Sequence, residues 1–259
     1  MFVFSHPEIM PFTPAHPAII LPLIRSRNFS ATALIAGSMS PDFEYFFRMS
    51  VSSVHSHTVA GLFYFDLPVT VFISILFHQV AKKNLINNLP LFLARKFQPT
   101  LQLDFIGYLK EHVWIFLTSA LLGAASHIFW DSFTHNNAFF VRMLPFYKST
   151  HVPYDGVRYP LFYALQHIST WVGLIVVCVY IFAMKAWPLN SHSSQKFLYW
   201  STLITITTVV TWTRILIRPI GTDIGNLIVS IISGFLLALV CCGFINFKQS
   251  NIAQESLDG

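Results

Sequence analysis

Long apolar runs dominate the chain. Ile168–Lys185, Leu198–Ile217 and Asn226–Phe247 are apolar almost throughout, and since roughly 20 helical residues cross a hydrocarbon layer of about 30 Å, each is long enough to span a bilayer. Trp114–Ser132 is a fourth run, rich in small residues and apolar until it reaches His127 and Asp131 near its C-terminal end. Leu67–Ala81 is a shorter fifth. Trp114 and Trp130, Trp171 and Trp187, and Trp200 and Trp212 fall toward opposite ends of three runs, where indole rings prefer the headgroup boundary. The pattern predicts an all-α fold, a polytopic transmembrane helical bundle of about five spans.

The N-terminal part reads differently. Thr13–Ile24 is predicted as a short helix introduced by Pro14 or Pro17 and bent at Pro22, and Ala31–Met39 as a second short apolar helix. Neither is long enough to cross. With Arg25 and Arg27 between them, the two are expected to form a hairpin packed among the spans, returning Asp42 to the side where His16 began. The connection Lys82–His112 is basic, broken by Pro90 and Pro99, and expected as a partly helical surface segment. Asn136–His167 carries Pro145, Pro153, Gly156 and Pro160 and would lie over the opposite face, where a loop could cover a site. No repeat, low-complexity stretch or linker divides the chain, so residues 1–259 are expected to form a single membrane domain, with 248–259 as a flexible tail.

Composition removes the soluble alternative. With 54% hydrophobic, 16% aromatic and only 10% charged residues, there is too little polar surface to cover a globule in water. The net charge of +5 and the pI of about 9.2 raise a nucleic-acid partner, which the scattered placement of the basic residues excludes. Lys82, Lys83, Arg95, Lys96 and Lys110, then Lys185 and Lys196, then Lys248 fall on one side of an alternating bundle. By the positive-inside rule that side is cytoplasmic, against the weaker counter-signal of Arg142, Lys148, Arg158 and Arg218. This places the chain in the cell's inner (cytoplasmic) membrane, with membrane lipid as its surroundings. No secretory signal peptide is visible at the start. Cys178, Cys241 and Cys242 lie inside spans without metal-type spacing and are expected to pack as small apolar residues.

Against this background the ionisable residues stand out. His127, Asp131 and His135 in SHIFWDSFTH are four apart, and each step of four turns a helical side chain by only about 40°, so all three can share one stripe. Imidazole nitrogens and a carboxylate at that spacing suit Zn²⁺ or a similar divalent ion, or equally a polar span end hydrogen-bonded to other helices. His55 and His57 precede the fifth run, and His57, adjoining the apolar segment, is the better ligand candidate. Asp42 and Glu44 follow Ser40 and Pro41, a pattern that a helix start also favours. His16 sits near a helix start, where a neutral, ligand-competent ring is expected. An alternating topology puts His16, Asp42, His57, Asp66, His127, Asp131 and His135 near one extracytoplasmic boundary. Intramembrane ionisable groups are costly, and a cation satisfies paired histidines and carboxylates most readily.

The segments MPFTPAHPAIILPL, GSMSPDFEYF, HSHTVAGLFYFDLP, LLGAASHIFWDSFTH and PLFYALQHISTWVGL together resemble a bacterial membrane-protein family of unknown function, over about two-thirds of the chain. Its opening motif begins at Met10, which makes residues 1–9 look like an N-terminal extension. The family is more distantly similar to YdjM-like membrane-bound metal-dependent hydrolases. The resemblance carries onto His16, Asp42, His57, His127 and Asp131, while Glu44, Asp66 and His135 rest on the residues alone. The His-x-x-x-Asp step is also similar to that of zinc-dependent phospholipase C sites.

These readings converge on a membrane-embedded metal-dependent hydrolase acting on a phosphate ester or lipid headgroup. His16, Asp42, His57, His127, Asp131 and His135 are its candidate ligands, Asp42 doubles as the candidate general base, and Arg214 and Arg218 are candidates for holding a phosphate, though they also suit snorkelling to the interface. The alternative is a non-enzymatic transporter, ion-binding component or scaffold that uses the same groups as a cation or proton path. A haem site fits less well, because carboxylates mix with the histidines. No G-x-S-x-G elbow, P-loop or dinucleotide-binding glycine pattern occurs.

Overall fold

A computed structural model describes residues 13–188, 195–221 and 223–247; the extension expected at 1–9 and the tail expected at 248–259 lie outside the described residues. The chain opens with a 3-10 helix, Thr13–Leu23, where a short bent helix was expected. Pro17 and Pro22 lie inside it and remove backbone donors that a continuous α-helix would need. The helices α1 (Ala31–Met39) and α2 (Phe43–Arg48) follow.

The first span, α3, runs over Leu62–Asn88, well beyond the expected Leu67–Ala81. Its backbone widens into π-helical turns at Leu62–Asp66 and Phe77–Ala81. Short helices α4 (Leu91–Phe97) and α5 (Phe105–Glu111) make the basic connection partly helical, as its composition suggests. Then come α6 (Val113–Asp131), α7 (Phe139–Met143) and α8 (Phe146–Ser149), a hairpin of β1 (His151–Tyr154) and β2 (Val157–Pro160), α9 (Leu161–Ala183), α10 (Lys196–Ile217) and α11 (Ile224–Phe244). The antiparallel hairpin pairs Tyr154 with Val157 across Asp155 and Gly156, both at positive φ, the geometry that an Asp-Gly pair favours.

Among the described residues, α3, α6, α9, α10 and α11 are the five helices long and apolar enough to cross a membrane. The protein is a multi-pass helical membrane protein, and Trp114, Trp171, Phe182, Ile204 and Ile217 are among the large apolar side chains that it leaves exposed. Trp171 lies near the middle of α9, because that helix begins earlier than its apolar run.

The described residues form two compact units. One comprises those of Ile75–Phe105, Lys185–Pro219 and Ile231–Gly259. Its core is Tyr199, Leu203, Ala238, Cys242 and Phe247. Asn84 donates to the carbonyls of Cys242 at 2.8 Å and Ile245 at 2.9 Å, and the Trp200 indole donates to the Asn88 carbonyl at 2.8 Å. Helix-end carbonyls and an indole N–H that would otherwise be orphaned in an apolar setting are thereby satisfied.

The other unit comprises the described residues of Met1–Ser74, Ile106–Met184 and Ile220–Ser230. Its organising contact is α1 laid directly on α6. A β-carbon on Gly37 would collide with the backbone of Ala120, and one on Gly123 with the backbone of Leu34 and Ser38. Ala33, Ser38, Ser119, Ala120 and Ala124 complete a seam of small buried residues, the means by which helices in lipid bring their backbones together. Ser30 caps α1 through the Ala33 amide, and its own N–H donates to Ser119 Oγ at 2.9 Å. The 3-10 helix closes on α9 in the same manner, with Ala15 against Gly173.

Substituting Gly123→Leu should therefore force α1 off α6. Overpacking of this kind costs about 1–3 kcal/mol or more, and thermal unfolding of the purified protein in detergent should register a lower midpoint than in a Leu122→Ala control, whose side chain is exposed.

Candidate metal centre

The seam between α1 and α6 sets the position of the first site residue. His127 is fully buried on α6, and because its Nδ1 lies 2.8 Å from the Ser38 carbonyl, which can only accept, Nδ1 carries the proton. The other ring nitrogen, Nε2, therefore points the other way. One helical turn on, Asp131 presents Oδ2 at 3.2 Å from that nitrogen.

Asp42 comes from the 3-10 turn Ser40–Asp42 that extends α1. Its Oδ2 accepts from the Thr13 hydroxyl at 2.5 Å, which leaves Oδ1 at 3.5 Å from Nε2 of both His127 and His57. His57 lies in the loop after α2. Its Nδ1 shares hydrogen bonds with the hydroxyls of Ser56 at 2.9 Å and Ser53 at 3.1 Å, and its Nε2 is 3.6 Å from Asp131 Oδ2. Tyr45 packs against the ring.

His16 completes the group. Its ring stacks on that of His127 with centroids 3.7 Å apart and planes at 20°, and its Nε2 is 3.7 Å from Asp131 Oδ1. The 3-10 geometry explains how it arrives. At about three residues per turn, Thr13 and His16 fall on one face, so a single edge of the opening helix both grips Asp42 and faces Asp131.

Five of the expected ligands, His16, Asp42, His57, His127 and Asp131, thus meet in space. Two sets within them, His16 with His127 and Asp131, and Asp42 with His57 and His127, have donor atoms within 4.8 Å of one another. His135 stands apart from both sets. Helix α6 ends at Asp131, so the expected stripe stops there, and His135 lies in the following turn with Nδ1 at 3.6 Å from Asp131 Oδ1 and 3.3 Å from the Asp131 carbonyl. His55 is exposed and meets the Tyr64 hydroxyl instead. Asp66 is fully buried at the first π-turn of α3, and neither carboxylate oxygen has a hydrogen bond. Arg214 and Arg218 belong to the other unit, where a guanidinium nitrogen of Arg214 donates to the Arg218 carbonyl.

Glu44 lies in the first turn of α2, as its position near a helix start suggests, and its carboxylate does more than sit there. Its carboxylate accepts from the amides of Val54, His55 and Ser56 at 2.8–2.9 Å and from the Ser53 hydroxyl at 3.1 Å, and pairs with Arg48 at 2.9 Å. It holds the loop that carries His57. Burial alone would raise its pKa, but the Ser56, His55 and Val54 amides and the Ser53 hydroxyl together pull it down to about 2.

Charge explains why these side chains hold one another in place. Burial works to lower the His57 pKa, yet Asp131 and then Asp42 push it up to about 9. Burial also opposes ionisation of Asp42, and the facing His127 and His57 outweigh it, holding the carboxyl well below its usual range. For His16, burial and then the charge of His127 bring the pKa down to about 3, so this ring is neutral. Two buried carboxylates thus call for positive charge between them, which a proton or a cation can supply.

Thr13, Ser38, Ser53 and Ser56 are absent from the sequence-derived site. Ser53 and Ser56 flank the histidines in SSVHSH, a usable hint; the Ser38 contribution is a backbone carbonyl, which no residue type signals.

The family model for a domain of unknown function, DUF4184, matches residues 10–244, and the chain belongs to that family. No curated protein matches the chain, and no solved structure does.

Glu44→Gln should weaken the loop's anchorage by about 2 kcal/mol, since it exchanges charge-assisted hydrogen bonds for neutral ones. Because the folded-state pKa lies below the ordinary 4.5, the advantage of wild type over the variant should be complete above pH 4.5 and vanish as pH falls through about 2. Unfolding midpoints of both proteins across that range check it.

Proposed function

We propose that Asp42, His57, His127 and Asp131 hold a divalent cation, zinc or a similar ion, and that the protein is a membrane-embedded hydrolase of phosphate esters, with a lipid headgroup or lipid-linked phosphate as substrate. The observation that carries this is a division of labour within each ligand. The outer atoms are tied down, His127 Nδ1 by Ser38, His57 Nδ1 by Ser53 and Ser56, and Asp42 Oδ2 by Thr13. The inner atoms, His127 Nε2 and His57 Nε2, are buried without any hydrogen bond. Buried polar atoms are rarely left so, whereas outer-shell tethers of this kind are how metal ligands are oriented.

The spacing supports the same reading. Nitrogen–oxygen separations around the ring of four donors are 3.5, 3.6, 3.5 and 3.2 Å, and neighbouring ligands about 2.0–2.4 Å from one cation lie roughly 3.0–3.5 Å apart. Two imidazoles and two carboxylates suit zinc and its neighbours.

A cation held there would lower the pKa of a coordinated water toward about 7 and neutralise charge on a phosphoryl oxygen. The chain's own part is to orient and to move a proton. Asp42, with one oxygen committed to Thr13, has Oδ1 left to ligate the ion or to accept the proton of the attacking water. Water oxygen would bond phosphorus as its proton passes to that carboxylate, the ester P–O bond would break, and the departing oxygen would take up the same proton. The basic residues of the intervening loops support a position on the extracytoplasmic side of the cytoplasmic membrane, within reach of headgroups.

Protein purified without chelators should carry near-stoichiometric divalent metal by elemental analysis. His127→Ala and Asp131→Ala should lose that metal, and with it phospholipid or phosphodiester hydrolysis by at least about 100-fold, while still eluting as folded protein. A wild type that is metal-free as isolated and takes up none when offered zinc or manganese would refute the proposal.

A further inference from the structure

One cation does not account for His16. The ring is 1% exposed, and neither Nδ1 nor Nε2 has a hydrogen-bond partner. An imidazole kept this way forgoes its hydrogen bonds in a buried setting. Asp131 Oδ1, the oxygen that His16 faces, is likewise buried and without a hydrogen bond, although Oδ2 of the same carboxylate lies toward His57 and His127.

His127 cannot resolve this by serving both donor sets. Its Nδ1 proton is given to Ser38, so Nε2 offers one lone pair, and one imidazole lone pair binds one ion. The set Asp42, His57 and His127 and the set His16, His127 and Asp131 therefore cannot each be completed by His127. The group that can reach both ways is Asp131, whose two oxygens face different histidines.

We infer that the centre is dinuclear, with a second divalent cation bound between His16 Nε2 and Asp131 Oδ1 and bridged through the Asp131 carboxylate to the first. This rests on the cation reading given above. His16 stacks on His127 at 3.7 Å and each ring directs Nε2 to a different oxygen of Asp131, an arrangement that would hold two ions side by side, as two-metal phosphotransfer sites do at about 3.5–4 Å. His135, whose Nδ1 is 3.6 Å from the same Oδ1 and whose side chain is partly exposed, borders the second position on its open side, where water can complete the coordination. A pair of ions in this arrangement suits a phosphate ester above a carboxylic ester, because one ion can stabilise the attacking oxygen and the other the leaving oxygen of an in-line displacement.

The test uses full-length protein in detergent, loaded with Mn²⁺ and freed of excess, with bound metal counted and the electron paramagnetic resonance spectrum recorded. Wild type should hold about two ions per chain and show the many-line spectrum of an exchange-coupled pair. His16→Ala should retain about one ion and give the simple hyperfine pattern of isolated Mn²⁺. Should His16→Ala fail to fold, His16→Gln serves in its place, and the wild-type spectrum decides in either case. About one ion in wild type with an uncoupled spectrum overturns the dinuclear centre while leaving the single cation standing; no bound ion overturns both.

Discussion

The contact of α1 with α6 governs what the rest of the first unit can do. Glycines at 37 and 123 let two backbones approach closely, and at that distance the Ser38 carbonyl accepts from His127. One contact thus performs two tasks. It replaces the hydrophobic driving force that helices lose in lipid with close packing, and it fixes the tautomer of the residue at the middle of the site. The turn that ends α1 delivers Asp42 to the same place, so the carboxylate and the imidazole are set by a single interface.

Around that interface the site is assembled from short, irregular pieces. Thr13 and His16 come from the 3-10 helix, Asp42 from a 3-10 turn, and His57 from a loop fastened by Glu44. Only His127 and Asp131 sit on a regular span. Irregular backbone is tolerated where its polar groups find partners, and here it brings ligand-type atoms together at angles that parallel helices cannot provide. The Glu44 carboxylate illustrates the cost structure: it takes up three loop amides that would otherwise lack partners.

Much of this was legible in the residues. The spans followed from apolar run length, since lipid leaves little room for other solutions. His16, Asp42, His57, His127 and Asp131 were legible because ionisable groups are scarce in such a chain and their placement agreed with an alternating topology. What was not legible has local causes. The end of α6 at Asp131 broke the expected stripe before His135, because a four-residue spacing does not say where a helix stops. Glu44 lies at a helix start as read, but its hold on the loop was hidden, since the partners of its carboxylate are backbone amides further along the chain. The length of α3 was hidden by Asp66, His78 and Lys82, which interrupt the apolar run while the helix continues through two π-turns.

The opening 3-10 helix carries one more implication. With a rise of about 2.0 Å per residue, the residues Thr13–Leu23 stretch farther than the same number would in an α-helix at about 1.5 Å, yet remain short of a bilayer's breadth. The segment works as a rack with teeth every third position. Sliding it by a single residue would disengage the Thr13 hydroxyl and the His16 ring together, so the hold on Asp42 and the approach to Asp131 share one registration.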